Sequence, residues 1–351
     1  MKVKIFTFGC TANQDNSSII ASIIKKQGYE LTNSDEEAEV FIINSCIVKG
    51  ATQSKVINLI RRLKQFNKEI ILTGCMPLAN YKLAKSFNVK LLCHNSLDKI
   101  CELLQNKKQE IITRKNSSKL GYEKDANIVQ IAEGCLGNCS YCATKLAKGQ
   151  LFSFPEDKIL EEVKKLAKKH NIIKITATDC GCYGLDIGTN LPSLLKKIIS
   201  LPGNFKIRIG MINPKYAKIY LNELIEIYKH EKVIKFLHIP VQSGSDKVLK
   251  LMKRQYKVKD FLEIVEKFRK EIPNICISTD IIVGFPNESH EDFEKTIVLV
   301  KKTKPDVLNI SKFSPMPRTE AAKLKKLPSQ IVKERSKKLH DLFIKLKNGK
   351  T

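Results

Sequence analysis

The chain has 351 residues, 42% of them hydrophobic, which is enough for two domains that each bury a core. No apolar run approaches the roughly 18 residues of a membrane span, and "MKVKIFTFGC" reads as a strand rather than a secretory leader, so the expected location is the cytoplasm. A net charge of +26 and a pI of about 9.5 suit a polyanionic partner, nucleic acid above all, although lysine richness throughout the chain gives the same excess.

The first third alternates short apolar runs with helical patterns. "VKIFTF" (Val3–Phe8), "VFIIN" (Val40–Asn44) and "EIILTG" (Glu69–Gly74) predict strands, with helices over "NSSIIASIIKKQGY" and "ATQSKVINLIRRLKQF" between them. Such alternation predicts an α/β domain over residues 1–106, with a doubly wound parallel sheet covered on both faces. Residues 107–127 are polar and lysine-rich and read as a linker. From Ile128 the alternation resumes through "IVQIA", "IIKITAT", "FKIRIGM", "FLHIPV", "CISTDIIVGF" and "VLNISKF". Helices are predicted over Glu156–His170, Lys257–Ile272 and His290–Thr303. Six βα units over 128–327 fit a partial TIM-type barrel, whose chemistry belongs at the C-terminal ends of its strands, and 328–351 reads as a closing helix.

Eleven cysteines in a chain without an export signal point to metal or redox chemistry rather than a disulfide framework. Three of them, Cys135, Cys139 and Cys142, lie in "EGCLGNCSYC" at C-x3-C-x2-C spacing, directly after the first barrel strand. A structural zinc site closes with four ligands, and a simple ferredoxin run also has four cysteines. Three thiolates leave one iron of a 4Fe–4S cluster open to another ligand. Gly134 and Gly137 let the backbone wrap such a cluster, and Tyr141 is placed to shield or orient what binds the open iron. A second triplet stands further apart: Cys10 in "FGC", Cys46 in "NSC" and Cys75 in "TGC" each follow a predicted strand. Ligands gather at the C-terminal edge of such a sheet, so these three read as a second cluster site with its own open iron. Buried core thiols are the alternative reading.

The C-x3-C-x2-C loop at the head of a six-unit barrel resembles the radical S-adenosylmethionine superfamily. With the strand-end triplet, the chain is similar to the methylthiotransferases. "GCLGNCSYCATKLAKG", "DCGCYGLDIGTNLPSLL", "RIGMINP", "HIPVQSGSDKVLKLMKRQY", "TDIIVGFPNESHEDFEKT" and "KERSKKLHDLF" resemble the archaeal and eukaryotic branch acting on threonylcarbamoyladenosine in tRNA. The resemblance implies that Cys135, Cys139 and Cys142 bind a 4Fe–4S cluster that cleaves S-adenosylmethionine to a 5′-deoxyadenosyl radical. It implies that Cys10, Cys46 and Cys75 bind an auxiliary 4Fe–4S cluster holding the sulfur to be transferred.

By the same resemblance Asp179 and Gly181 meet the amino end of S-adenosylmethionine, and Arg208 and Gln242 face the same pocket. Gly181 reads equally as a turn glycine and Arg208 as a partner for an acid; His238 reads as a core histidine or a proton carrier. Cys93, Cys101, Cys180, Cys182 and Cys276 read as non-ligands. The family usually shows an arginine and a glycine where this chain has Met316 and Arg318, and an arginine at Lys148. The expected RNA-gripping C-terminal β-barrel does not follow. Phosphate contacts are therefore expected from Lys107–Lys124 and Lys323–Lys350, or from a separate RNA-binding protein. The sulfur and electron donors stay open. Rival readings are methylthiolation of another substrate, a ribosomal protein or another modified adenosine, and a non-catalytic iron–sulfur RNA-binding protein.

Overall fold

The computed structural model describes residues 1–47, 50–105, 108–113 and 118–349. Of the ranges read from sequence, residues 48, 49, 106, 107, 114–117, 350 and 351 lie outside the described residues. The described chain divides into two units, Met1–Cys135 with Ala143–Leu166, and Leu136–Cys142 with Ala167–Thr351.

The first unit is built on six parallel strands: β1 (Lys2–Thr7), β2 (Glu30–Leu31), β3 (Val40–Ser45), β4 (Glu69–Gly74), β5 (Lys90–Leu92) and β6 (Glu110–Ile111), in the order β2-β1-β3-β4-β5-β6. The central strand explains why the sheet needs cover on both sides. Val40 and Ile42 of β3 pack into a cluster with Ile19, Ile20 and Leu103, whereas Phe41 and Ile43 pack into another with Val56, Ile60 and Leu72. Alternate side chains point to opposite faces, and here both faces are apolar. Helices α1 (Thr11–Lys26), α2 (Gly50–Leu63), α3 (Met76–Ala79), α4 (Tyr81–Ser86) and α5 (Ile100–Leu104) follow the strands.

Much of the stretch read as a linker is built into this unit. Glu110–Ile111 pairs with β5. Lys124 is buried, its Nζ 2.6 Å from Asp15 Oδ1 and 3.3 Å from Glu162 Oε1. Gln130, at the end of β7 (Ile128–Gln130), donates to Asp15 Oδ2 at 2.8 Å. A buried cation and carboxylate of this kind fix the path of a polar segment that has no periodicity of its own. The short antiparallel pair β8 (Ala132–Glu133) and β9 (Phe152–Ser153) also belongs here, as do helix α6 (Thr144–Lys148) and, for nearly all its length, α7 (Glu156–Ala167).

The second unit carries β10 (Ile172–Thr176), β11 (Lys206–Ile209), β12 (Phe236–His238), β13 (Cys276–Val283) and β14 (Val307–Lys312). β10 pairs with β11, and β12, β13 and β14 pair in turn, all parallel. Backbone bonds from Ile207 N to Lys232 O (2.7 Å) and Ile212 N to His238 O (2.9 Å) bring β12 beside β11. The helices between and after them are α8 (Leu191–Ile199), α9 (Pro214–Ile219), α10 (Leu221–Lys229), α11 (Asp246–Leu251), α12 (Val258–Glu271), α13 (His290–Thr303) and α14 (Ser329–Asn348). The last is anchored by Arg335, whose Nη1 lies 2.5 Å from the buried Glu288 Oε2.

Candidate functional site

Cys10, Cys46 and Cys75 follow β1, β3 and β4, three adjacent strands of one parallel sheet. Glycine makes the convergence possible. A Cβ on Gly9 would lie 2.7 Å from Cys46 Cβ and 2.9 Å from its Sγ, and one on Gly74 would lie 2.2 Å from Ser45 O. Both glycines have positive φ, +107° and +89°, which an L side chain adopts only with strain. Asn13 ties the strand ends together by donating to Phe8 O at 2.8 Å and Ser45 O at 3.0 Å. Cys46 and Cys75 are buried and Cys10 is exposed. Burial pushes the Cys75 thiol up to about 12, opposed by the Lys148 ammonium and reinforced by Cys46 and Cys10. Three thiols close enough to feel one another form a donor set that suits an iron–sulfur cluster with one open iron.

Cys139 and Cys142 lie in the second unit, in the loop whose sequence begins at Cys135. Gly134, with φ +70°, starts that loop where a Cβ would collide with Gln150 O at 1.8 Å. Ser140 fastens the loop to α11, its N–H donating to Met252 O at 3.1 Å and its Oγ to Leu251 O at 2.8 Å. Tyr141 packs edge-on against Phe285, centroids 6.3 Å apart, so it acts as the loop's apolar anchor. Arg254 was not singled out from sequence. It meets Cys139: Nη1 donates to Cys139 Sγ at 3.4 Å, Nη2 to Pro240 O at 3.0 Å and Nε to Tyr256 Oη at 2.8 Å. A guanidinium held by three partners supplies fixed positive charge beside the Cys139 sulfur.

Asp179, just beyond β10, is 2% exposed. Its Oδ1 accepts from Gly181 N at 3.0 Å and Asn213 N at 3.1 Å, while Oδ2 is buried with no partner among the described residues. Burial pushes the carboxyl up to about 6. An orphaned buried carboxylate oxygen fits an ammonium such as the amino group of S-adenosylmethionine. Gly181 has a packing role as well, since a Cβ there would lie 2.6 Å from Tyr216 Cβ. Gln242 takes a left-handed backbone, φ 70°, just past β12, the kind of strain that clusters at functional positions.

Arg208, Phe236 and His238 alternate along their strands with the buried Ile207, Ile209 and Leu237, so they share the opposite face. The Arg208 guanidinium lies 4.2 Å from the Phe236 ring centre. Among the described residues no acid forms an ion pair with Arg208; its contact is the ring. His238 is part-exposed, its Nε2 3.2 Å from both oxygens of Asp280, which also accepts from Asn309 Nδ2 at 2.7 Å. Cys180 and Cys182 are fully buried, and Cys182 Sγ donates to Asp179 O at 3.2 Å.

One expectation needs correction. Lys119 and Lys124 belong to the stretch read as a phosphate-binding surface, yet they are 0% and 3% exposed. Lys124 is held by carboxylates and Lys119 by the backbone oxygen of His94. Buried, partnered ammonium groups cannot reach a phosphate. The lysines of 323–349 are exposed on and before α14.

This strand-end loop with three cysteines, on a run of parallel βα units, defines a radical S-adenosylmethionine enzyme: residues 129–300 match the Radical SAM superfamily, and residues 2–93 match an uncharacterized protein family, UPF0004. A probable threonylcarbamoyladenosine tRNA methylthiotransferase of Pyrococcus horikoshii is 42% identical over 99% of this chain and 84% of its own length. The human threonylcarbamoyladenosine tRNA methylthiotransferase is 36% identical over 97% of this chain and 62% of its own. The chain belongs to this methylthiotransferase family. Among solved structures, a radical S-adenosylmethionine methyltransferase from Kitasatospora setae shares the fold, with a TM-score of 0.65 at 13% identity over 92% of this chain and 77% of that one.

Proposed function

We infer that this chain transfers a methylthio group to C2 of N6-threonylcarbamoyladenosine beside the anticodon of tRNA. The observation that carries this reading is the pair of cysteine triplets at strand ends, in a chain 42% identical over 99% of its length to an archaeal relative of that name. The C2 hydrogen of a purine has no acidity that a base can use, so acid–base groups alone do not suffice. When bound, the barrel cluster with S-adenosylmethionine supplies the one-electron chemistry for attack on such a carbon.

The residues of this chain bind and orient. Cys135, Cys139 and Cys142 hold the barrel cluster, with Arg254 fixing charge at Cys139. Asp179 Oδ2 takes the amino group of S-adenosylmethionine. Cys10, Cys46 and Cys75 hold the auxiliary cluster. His238, Asp280 and Asn309 present polar groups on the strand face opposite the buried one, where a splayed-out base can be read by its edges. Residues 1–106 act as the sulfur-holding, doubly wound domain, with Glu110–Ile111 and Lys124 built onto it, and 128–327 act as a (βα)6 barrel completed by the helix in 328–351. The enzyme works in the cytoplasm; no described helix is long and apolar enough to cross a membrane. Exposed lysines on α14 contact tRNA phosphates, so binding weakens by roughly one power of salt concentration per phosphate neutralised.

The test is mass spectrometry of tRNA nucleosides from a strain lacking the gene, with and without the restored chain. Loss of the 2-methylthio form with retention of threonylcarbamoyladenosine is expected. Retention of the 2-methylthio form in the deletion strain refutes the reading.

A further inference from the structure

The turn that ends α11 brings a guanidinium to the cysteine loop. Lys253 takes a left-handed backbone, φ 56°. Its N–H bonds back to Lys250 O at 3.0 Å, and the N–H of Arg254 to Leu249 O at 2.9 Å. These are the paired bonds of a Schellman turn, with lysine where glycine is usual, and they send the chain back along the helix. The same helix end holds Ser140 through Leu251 O and Met252 O, so Arg254 and the loop share one anchor. Tyr256 is buried and fixes the plane of the guanidinium: its Oη accepts from Arg254 Nε at 2.8 Å and donates to Val241 O at 2.8 Å.

Among the described residues no acid forms an ion pair with this guanidinium. Its partners are the Tyr256 hydroxyl, the Pro240 carbonyl and the Cys139 sulfur. Asp179 is not its counter-ion either, since Oδ1 is taken by two backbone N–H groups and Oδ2 has no partner. Of the three partners, the Pro240 carbonyl is always neutral and the Tyr256 hydroxyl keeps its proton for Val241 O. Only the sulfur changes charge in use, because cysteine binds a metal as the thiolate. The donors of arginine lie in a rigid planar fork, so Nη1 is aimed at Cys139 Sγ by the two oxygens that hold the other nitrogens.

We propose that Arg254, aimed by Tyr256 and Pro240, keeps an N–H···S bond to Cys139 when that residue ligates iron, and so raises the reduction potential of the barrel cluster. The inference rests on the assignment of Cys135, Cys139 and Cys142 to that cluster. One electron added to such a site makes it more negative. A fixed cation and a hydrogen bond to a ligand sulfur favour the more negative form, and hydrogen bonds to the sulfurs are a known control of cluster potential. Arg254 is a positioning residue, since it meets the ligand and not the iron. Fastening the loop does not require it, because Ser140 already makes two bonds to the end of α11.

The experiment uses the full chain carrying Cys10→Ala, Cys46→Ala and Cys75→Ala, so that the barrel triplet is left to hold iron. After anaerobic reconstitution, iron is counted and the cluster potential is titrated with a chemical reductant, without S-adenosylmethionine, and read by electron paramagnetic resonance. Arg254→Met is expected to keep its iron and shift the midpoint downward by at least 59 mV, a tenfold change in the one-electron equilibrium. Arg254→Lys keeps the charge without the fork and is expected to fall between the Met variant and the parent. Tyr256→Phe releases Nε and is expected to shift the midpoint downward by less than Arg254→Met. An unchanged potential in an iron-loaded Arg254→Met protein overturns the proposal while leaving the cluster assignment standing. Should Arg254→Met fail to fold or to hold iron, the Arg254→Lys and Tyr256→Phe arms decide, and unchanged potentials there overturn it as well. Absence of iron from the parent triple variant defeats the cluster assignment itself, and the proposal with it.

Discussion

Replacing Asp179 with Asn separates the cost of a buried carboxylate from its use. The folded protein holds this carboxyl at about 6 against an ordinary 3.8, chiefly through burial, with Asn213 N–H, Gly181 N–H and the Arg254 charge opposing. The folded state therefore binds the proton more tightly than the unfolded chain. Below pH 4 both states are protonated and no penalty arises; above pH 6 both are ionised and the fold carries the full penalty. The difference between the two values is worth about 3 kcal/mol. Asn keeps the oxygen that accepts from Gly181 and Asn213 but cannot ionise. Relative to the parent, Asp179→Asn should thus gain about 3 kcal/mol of stability between pH 4 and pH 8, whatever its constant offset from an unpartnered amide. The chain has no tryptophan, so urea unfolding of the iron-free reduced protein is followed by circular dichroism across that range. Reconstituted Asp179→Asn should bind S-adenosylmethionine more weakly, since a hydrogen bond to a charged group contributes about 1.5–3 kcal/mol, roughly 10- to 150-fold in Kd. Calorimetric titration at pH 7.5 reads this directly. A stability difference that does not change with pH, together with unaltered binding, would refute the argument.

Arg335→Met leaves Glu288 buried without its cation and should cost about 3–5 kcal/mol in urea unfolding, with much of that recovered in the Arg335→Met, Glu288→Met double variant. Arg318 has a left-handed backbone, φ 65°. Arg318→Gly should raise stability by up to about 1 kcal/mol, because glycine adopts this conformation without the Cβ clash. The double variant Cys180→Ser, Cys182→Ser should retain the full iron content of the reconstituted protein. On the proposed assignment two triplets supply both clusters, and loss of iron would make one of these buried thiols a ligand.

The strands and long helices were legible because their signals are local. An apolar run such as "VFIIN" can be satisfied only with cover on both faces, and the structure makes it the central strand β3. Strands of two or three residues, such as Glu30–Leu31, Lys90–Leu92 and Glu110–Ile111, carry no measurable period and went unread. Likewise the cysteines could be picked out, since C-x3-C-x2-C lies within eight residues and the other triplet marks the ends of recognisable strands. The usual glycine at the position of Arg318 also has its reason in the backbone, which is left-handed there. The partners of the buried charges were not legible. Arg254 is 115 residues from the Cys139 sulfur it touches, and Lys148 is 54 residues from His94. In the sequence these are two basic residues among 62, and Lys119 and Lys124 looked like surface. Which lysine is buried, and beside which carboxylate, depends on how separate elements pack. Composition fixes how many charges there are, but only the tertiary structure removes a few of them from water, where each must find a partner.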